Sequence, residues 1–200
     1  MLSPDITADE AIQATGEVPA RLFGGRYRAV SEIGRGSTGQ LFLTETIKGE
    51  SLAVVKTSND VSMLRNEADV LSKIRHPDVV ELRERHEDET PPFLLLNKVD
   101  GQDLETLLRE RGGPLDEVTL GQLLVRLSDA VSVVHSEGFL HRDLKPGNIL
   151  IRPDETPVLI DFGAASRLDR DDAARHWSFV TEGFAAPEQY FADQREGAWT

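Results

Sequence analysis

The chain contains no cysteine, so neither a disulfide nor a thiolate-bound metal can hold it together, and a reducing compartment suits it. It has no run of about 18 apolar residues, the length a membrane-spanning helix needs. Its first ten residues, MLSPDITADE, lack the basic-then-apolar order of a secretory signal. Positive charge is scarce too: 22 Lys and Arg stand against 35 Asp and Glu, for a formal net charge of −13. That balance excludes broad electrostatic attraction to nucleic acid or to an anionic membrane surface, so a phosphate-bearing ligand has to be held by local groups. What is present, 200 residues with 39% hydrophobic content, suffices for one large domain or two small lobes with a real core. A soluble, cytoplasmic chain is expected.

Residues 1–20 mix Ser, Pro, Asp, Thr, Glu and Gly with few apolar positions, the composition of a poorly ordered tail. From Tyr27 the pattern becomes extended. Runs at Tyr27 to Ile33, Gln40 to Thr46 and Ser51 to Lys56 are separated by turns at Gly34 to Gly39 and at Lys48-Gly49, which predicts an antiparallel meander. Further short strands are predicted at Val79 to Leu82 and Phe93 to Leu96. Between these and the meander, Leu64, Ala68, Leu71 and Ile74 recur at helical spacing. Asn97 to Gly101, reading NKVDG, breaks the pattern as a linker. Beyond it Leu104, Leu107 and Leu108 form a short helical stripe. Leu120, Leu123, Leu124, Leu127, Val131 and Val134 form a longer one, closed by Gly138. The expected architecture is α+β and bilobal: a five-stranded lobe over 21–96, a connector over 97–101 and a mainly helical lobe over 102–200. A cleft at the junction is where ligand sites are favoured.

The first connection reads GRGSTG, with glycines at Gly34, Gly36 and Gly39. Glycine lets the backbone approach a ligand closely and turn its amides toward phosphate oxygens. A dinucleotide fingerprint needs a helix after the glycines, and Gln40 to Thr46 reads as a strand, so that use is excluded; a flexible hairpin remains the plain alternative. Lys56 ends an apolar strand, where a lysine ordinarily just reaches water. Glu67, however, lies three residues after Leu64 and four before Leu71, on the face the helix buries, where a lone carboxylate is costly. Lys56 is its expected partner.

The stretch His141 to Leu150, HRDLKPGNIL, gathers an acid, two cations and an amide in one loop bounded by apolar sequence, which a packed core does not need. Asp143, Lys145 and Asn148 can all face one volume. The strand after Asn148 is expected to pair, through a turn at Arg152 to Pro157, with Val158-Leu159-Ile160 and so to return Asp161 beside Asn148. An amide oxygen and a carboxylate there make a hard-oxygen site suited to magnesium with phosphate as a further ligand. Asp143 is left as the base and Lys145 as a cation for a phosphoryl group in transfer.

Six motifs in order, Gly34-Arg-Gly-Ser-Thr-Gly39, Ala53-Val-Val-Lys56, Glu67, His141-Arg-Asp-Leu-Lys-Pro-Gly-Asn148, Asp161-Phe-Gly163 and Ala186-Pro-Glu188, resemble the signature set of the protein kinases of Ser/Thr type. The resemblance covers the chain from Tyr27 onward. It implies ATP and Mg2+ as ligands and a protein Ser or Thr hydroxyl as acceptor. Ile33, Gly34, Arg35, Gly36, Ser37, Thr38, Gly39, Gln40 and Leu41 would cover the nucleotide, with Ala53 and Leu96 beside it and Asn97 and Val99 in the connector that binds adenine. Lys56, held by Glu67, would contact the α and β phosphates. Asn148 and Asp161 would hold magnesium, and Asp143 would orient the hydroxyl and accept its proton. Lys145 resembles the Ser/Thr class, while His141 and Arg142 shape the loop. The Gly183 to Tyr190 run is similar to bacterial eukaryotic-like kinases.

Three departures accompany the resemblance. Leu41 stands where valine is usual. Glu182 follows Thr181 where proline is frequent, which leaves peptide preference open, and Ser178 or Thr181 is the expected site of autophosphorylation. The chain ends at Thr200, soon after Glu188, so a partial helical lobe is expected, with weak activity, a tendency to aggregate and an incompletely covered underside of the Leu120 to Val134 stripe. The alternatives are a pseudokinase or nucleotide-binding scaffold, a kinase-like phosphotransferase for small molecules, and a purely structural α+β domain. Intact Lys56, Asp143 and Asp161 weigh against the first, and the glycine loop with Ala186-Pro-Glu188 against the second. Inward-pointing Glu67, Asp143 and Asp161 weigh against the third.

Overall fold

Apolar side chains at alternate positions, many of them aromatic or β-branched, build a twisted antiparallel sheet in the N-terminal part of the chain. The computed structural model describes residues 21–35, 39–49, 51–168, 181 and 183–190. Its contacts divide the chain into two units, Met1–Leu64 with Leu82–Lys98, and Arg65–Glu81 with Val99–Thr200.

In the first unit the sheet comprises β1 (Leu22–Phe23), β2 (Tyr27–Arg35), β3 (Gly39–Thr46), β4 (Leu52–Ser58), β5 (Leu82–His86) and β6 (Phe93–Asn97), in the order β1-β2-β3-β4-β6-β5. Bulges between Ala29 and Ser31 and between Glu32 and Gly34 bend β2. One face carries a buried cluster of Phe23, Tyr27, Phe42, Ala53, Val55, Phe93 and Leu95. The Phe23 ring lies 5.3 Å from Phe42 and 5.6 Å from Phe93, and each such ring stabilises the sheet by about 1.5–3 kcal/mol on burial.

Two features of this sheet differ from the sequence expectation. A sixth strand, the two-residue β1, extends its edge. The strand expected at Val79 to Leu82 lies instead at Leu82–His86, reading LRERH. An edge strand paired on one side presents charged residues to water and carries little apolar signal. The apolar Val79-Val80 belongs to the second unit, where Val79 bridges Leu159 in parallel and the Val80 N–H donates to the Leu159 carbonyl at 3.0 Å. This pairing explains why Arg65–Glu81 groups with the second unit rather than with a contiguous lobe over 21–96.

Helix α1 (Val61–Leu71) crosses the boundary between the units, and its buried face carries Leu64, Ala68 and Leu71 as the spacing requires. The second unit then contains β7 (Gln102–Asp103), α2 (Leu104–Arg111), α3 (Glu117–Ser136), β8 (Phe139–Leu140), β9 (Ile149–Ile151), β10 (Pro157–Leu159) and β11 (Ser166–Arg167). Asp103 and Asp116 cap the two helices, their carboxylates accepting from the Thr106 and Thr119 N–H groups at 2.8 and 2.9 Å. Gly138 ends α3 at φ 80, a left-handed conformation that glycine adopts without a Cβ penalty. Strands β10, β9 and β7 form one small sheet, and β11 and β8 another. Leu123, Ala130 and Val134 bury the inner side of α3, whereas Leu120 and Leu124 of the same expected stripe are exposed. Among the described residues no helix is long and apolar enough to cross a membrane.

Candidate active site

The loop between β8 and β9 is fixed from its first residue. His141 is buried, its ring meeting Phe162 edge-on at 4.6 Å. Its Nδ1 accepts from the Asp143 N–H at 3.3 Å, which leaves Nε2 to donate to the Ile160 carbonyl at 3.1 Å. Arg142 follows with φ 66, a left-handed conformation that a long side chain rarely takes and that costs about 1–3 kcal/mol unless the surroundings hold it. A short 3-10 turn at Pro146–Asn148 then leads into β9.

Asp143, Lys145, Asn148 and Thr181 form one connected network. The Lys145 Nζ lies 2.8 Å from Asp143 Oδ2, and the Asn148 Nδ2 donates to that same oxygen at 2.7 Å and to the Asp143 carbonyl at 2.8 Å. Thr181 Oγ1 donates to Asp143 Oδ1 at 2.6 Å while accepting from Lys145 Nζ at 3.3 Å. Both atoms facing the Asn148 amide from Asp143 are acceptors, so the NH2 group must point to them and the amide oxygen must point the other way.

The expected β9–β10 hairpin forms, with Leu159 opposite Ile149 and Pro157, expected in the turn, opening β10 opposite Ile151. The Ile160 N–H donates to the Asn148 carbonyl at 2.9 Å, which sets Asp161 one residue beyond Asn148's neighbour. Asp161 is exposed at φ 60, and its Oδ1 accepts from the Gly163 N–H at 3.2 Å. An amide oxygen turned away from Asp143 and an exposed carboxylate are ligand types that a hard divalent cation takes together with phosphate and water, so these residues fit magnesium in their chemistry. Among the described residues no group of three or more His, Cys, Asp or Glu side chains gathers where it could hold a metal ion. Glu67 is 1% exposed and accepts from the Phe162 N–H at 3.4 Å, and beside it Asn66 Nδ2 donates to the Ala165 carbonyl at 2.5 Å. Helix α1 is thereby tied to the segment that follows Asp161.

On the first unit's sheet, Lys56 stands opposite Leu41 on β3 and Leu94 on β6, and Val54 opposite Leu43 and Leu96. These rows share one face, since side chains alternate along a strand. Ala53, expected beside the nucleotide, points to the other face and into the Phe23–Phe42–Phe93 core; Val54 holds the place on the Lys56 side. Counting two residues back from Lys56 would have found it. Gly34 and Arg35 end β2 and Gly39 opens β3, while Gly36, Ser37, Thr38 and, further on, Ser178 lie outside the described residues. A Cβ on Gly39 would sit 1.9 Å from the Thr57 carbonyl, so β4 alone demands glycine there. Arg35 and Gln40 both turn to Glu32, at 2.7 and 3.2 Å. Ile33 is exposed, Leu96 is buried at the end of β6, and Asn97 accepts a hydrogen bond from Arg83. Val99 opens the second unit's later segment.

The protein kinase domain family matches residues 27–197. The chain is 28% identical over 179 residues to a probable serine/threonine-protein kinase PknB of Lactococcus lactis, covering 84% of this chain and 28% of that protein. It is 31% identical over 191 residues to the serine/threonine-protein kinase PkaA of Streptomyces coelicolor, covering 84% and 35% of the two. With the serine/threonine-protein kinase PknF of Mycobacterium tuberculosis it shares 31% identity over 190 residues, covering 86% and 39%. The chain thus spans between about a quarter and two fifths of the length of these relatives. The ordered motifs, the α+β architecture and a domain match from residue 27 to residue 197 place this chain in the protein kinase family.

Proposed function

We propose that this chain carries ATP-dependent transfer of the γ-phosphoryl group to Ser or Thr hydroxyls of proteins. The observation that supports it most is the Thr181 hydroxyl held 2.6 Å from Asp143 Oδ1, with Lys145 Nζ 3.3 Å from the same hydroxyl oxygen. An acceptor hydroxyl taking that place would meet a carboxylate for its proton and a cation for the oxygen and the incoming phosphoryl group.

The acceptor oxygen forms a bond to the γ phosphorus as the bond from that phosphorus to the bridging oxygen breaks. ADP leaves, and the hydroxyl proton passes to Asp143 Oδ1. Lys145 offsets charge on the transferring group, and the second Asp143 oxygen, bound by Asn148 and Lys145, keeps the carboxylate aimed. Asn148 Oδ1 and Asp161 would hold Mg2+, which when bound neutralises charge on the β and γ oxygens. Lys56 would contact the α and β phosphates with Glu67 as its counter-ion. Gly34 to Leu41 would lie over the phosphates, and Ile33, Val54 and Leu96 would take the purine with the backbone of Asn97 and Val99. Autophosphorylation is placed at Ser178 or Thr181, the latter with its hydroxyl already against Asp143 and Lys145.

The test is transfer of labelled γ-phosphate to a generic protein acceptor such as casein. Wild-type chain is expected to transfer, and Asp143→Asn to lose about a thousand-fold in rate while still binding ATP. Asp143→Asn retaining most of the wild-type rate would defeat the reading. Phosphosite mapping checks the autophosphorylation assignment, which fails if active protein is unmodified at both Ser178 and Thr181.

A further inference from the structure

The peptide plane between Arg142 and Asp143 decides where the Asp143 side chain starts, because Asp143 Cα is one of its corners. That plane is gripped at both ends. Its N–H, on Asp143, donates to His141 Nδ1 at 3.3 Å. Its carbonyl, on Arg142, accepts from Gln189 Nε2 at 2.9 Å. Gln189 is itself 5% exposed, and both ends of its side-chain amide are engaged: Oε1 accepts from the Ala186 N–H at 2.9 Å while Nε2 holds the Arg142 carbonyl, and the Gln189 backbone N–H donates to the Ala186 carbonyl at 2.9 Å. A buried amide with both ends committed cannot rotate without leaving a polar group unpaired.

Arg142 needs such a grip. Its φ of 66 lies where residues with a long side chain are seldom found, and such a conformation persists only when its surroundings over-determine it. His141 belongs to the loop itself, whereas Gln189 comes from a turn 47 residues further along the chain. The segment 181–190 therefore meets the loop on either side of Asp143, through the Thr181 hydroxyl on its carboxylate and through the Gln189 amide on the peptide before it.

We infer that Gln189 is a positioning residue for Asp143, acting through the Arg142 carbonyl, so that docking of the turn at Pro187–Tyr190 sets the aim of the base. The inference rests on the proposed kinase activity and makes Gln189 a link between the end of the segment and the rate of transfer. Nothing in the sequence motif marked it: Gln189 follows Ala186-Pro-Glu188 as an ordinary surface-type residue would.

Gln189→Glu separates the two bonds, since the carboxylate still accepts from the Ala186 N–H but offers no donor to the Arg142 carbonyl. The full chain with this change is expected to lose at least about tenfold in kcat at neutral pH, with KM for ATP within about twofold of wild type. As pH falls and the new carboxyl takes up a proton it can donate again, so the ratio of variant to wild-type kcat should climb toward one. His135, His141, Arg142 and Asp143 line the same cavity of about 170 Å³, so the pH profile of Gln189→Glu is read against that of Gln189→Met, which lacks the added carboxyl, as well as against wild type. Gln189→Met, of similar length but without polar atoms, should show the same loss and no recovery. A second readout does not need activity: exchange of the Asp143 amide hydrogen should quicken in both variants while exchange in α3 stays unchanged.

Wild-type-like kcat and unaltered Asp143 exchange in Gln189→Glu would overturn the inference and leave the kinase reading standing. A loss in Gln189→Glu that does not recover with acid, accompanied by a fall in the folded fraction, would reduce Gln189 to a packing residue and overturn it too. If wild type transfers no phosphoryl group, the kinase reading falls, and with it the catalytic meaning of Gln189.

Discussion

Two aspartates of the second unit, Asp78 and Asp143, are both held by cations, yet they are built for opposite purposes. The Asp78 side chain is 3% exposed, with Arg126 Nη2 at 2.6 Å and Arg152 Nη1 at 3.6 Å. Arg152 also donates to the Pro77 carbonyl at 2.8 Å, and the Asp78 N–H donates to His76 Nδ1 at 3.1 Å. These contacts join the Arg65–Glu81 segment to α3 and to the β9–β10 hairpin, and nothing about them leaves room for a ligand. The Asp143 side chain is 17% exposed, and among the described residues its cation is a lysine and its other side-chain partners are an amide and a hydroxyl, groups that can be exchanged for a substrate's. A carboxylate saturated by guanidinium groups serves the fold, and one held partly by exchangeable neutral donors on a strained loop is available for chemistry.

Paired substitutions break that comparison most sharply. Asp143→Asn should cost about a thousand-fold in transfer and leave the melting temperature within about 2 °C of wild type, because the amide oxygen can still accept from Asn148 and Lys145 while its NH2 group donates to the Thr181 hydroxyl oxygen. Asp78→Ala should do the reverse. It leaves two guanidinium groups facing a buried gap, a loss of about 2–3 kcal/mol after allowing for the solvent both arginines reach. That corresponds to a fall of about 5–10 °C in melting temperature for a chain of this size, with kcat per folded molecule unchanged. If Asp78→Ala lowered kcat at full folding, or Asp143→Asn unfolded the chain, the division of roles would be wrong. Lys145→Met sharpens it further: about a tenfold to hundredfold loss in kcat is expected, smaller than at Asp143, since one donor to the transferring group goes while the acceptor of the proton stays.

How much of this was legible depended on whether local pattern or distant contact decided the residue. The loop His141 to Asn148, the hairpin that follows and Glu67 on the buried side of α1 all rest on short-range periodicity, and they stand where the spacing put them. Ala53 matches the motif by its letter, whereas strand alternation turns it into the core and puts Val54 on the Lys56 face. The β5 strand, LRERH, carries no apolar run to mark it. Val79-Val80 is apolar yet serves the second unit, while Leu82–His86 is polar because it is an edge. Asn66 and Gln189 had no sequence signal, since each acts through a carbonyl far along the chain, Ala165 for one and Arg142 for the other. Hydrogen bonds to backbone carbonyls leave no trace in residue spacing.

A third acid, Glu84 on β5, is the most exposed of the three and supplies the smallest expected effect. Its carboxylate accepts from the Tyr27 hydroxyl at 2.6 Å, lies 2.6 Å from Arg26 Nη2 and meets His86 Nε2 at 2.8 Å. Partial burial alone would push its carboxyl up; the hydrogen bonds from Tyr27 and His86 and the charges of Arg26 and His86 outweigh that and hold it below the ordinary glutamate range. A carboxyl lowered in the folded state binds its proton less readily there than in the unfolded chain. Its contribution is therefore complete above the unfolded-state range and is lost as pH falls through the lowered value. Glu84→Gln should accordingly flatten the acid limb of the stability curve slightly and leave the neutral-pH rate of transfer untouched. Parallel urea titrations of wild type and variant from pH 7 down to pH 3 check it. If the variant's stability fell with acid as steeply as wild type's, the Tyr27–Glu84–Arg26 cluster would be a surface ornament, and Asp78 would be the only one of these three acids whose charge matters to the fold.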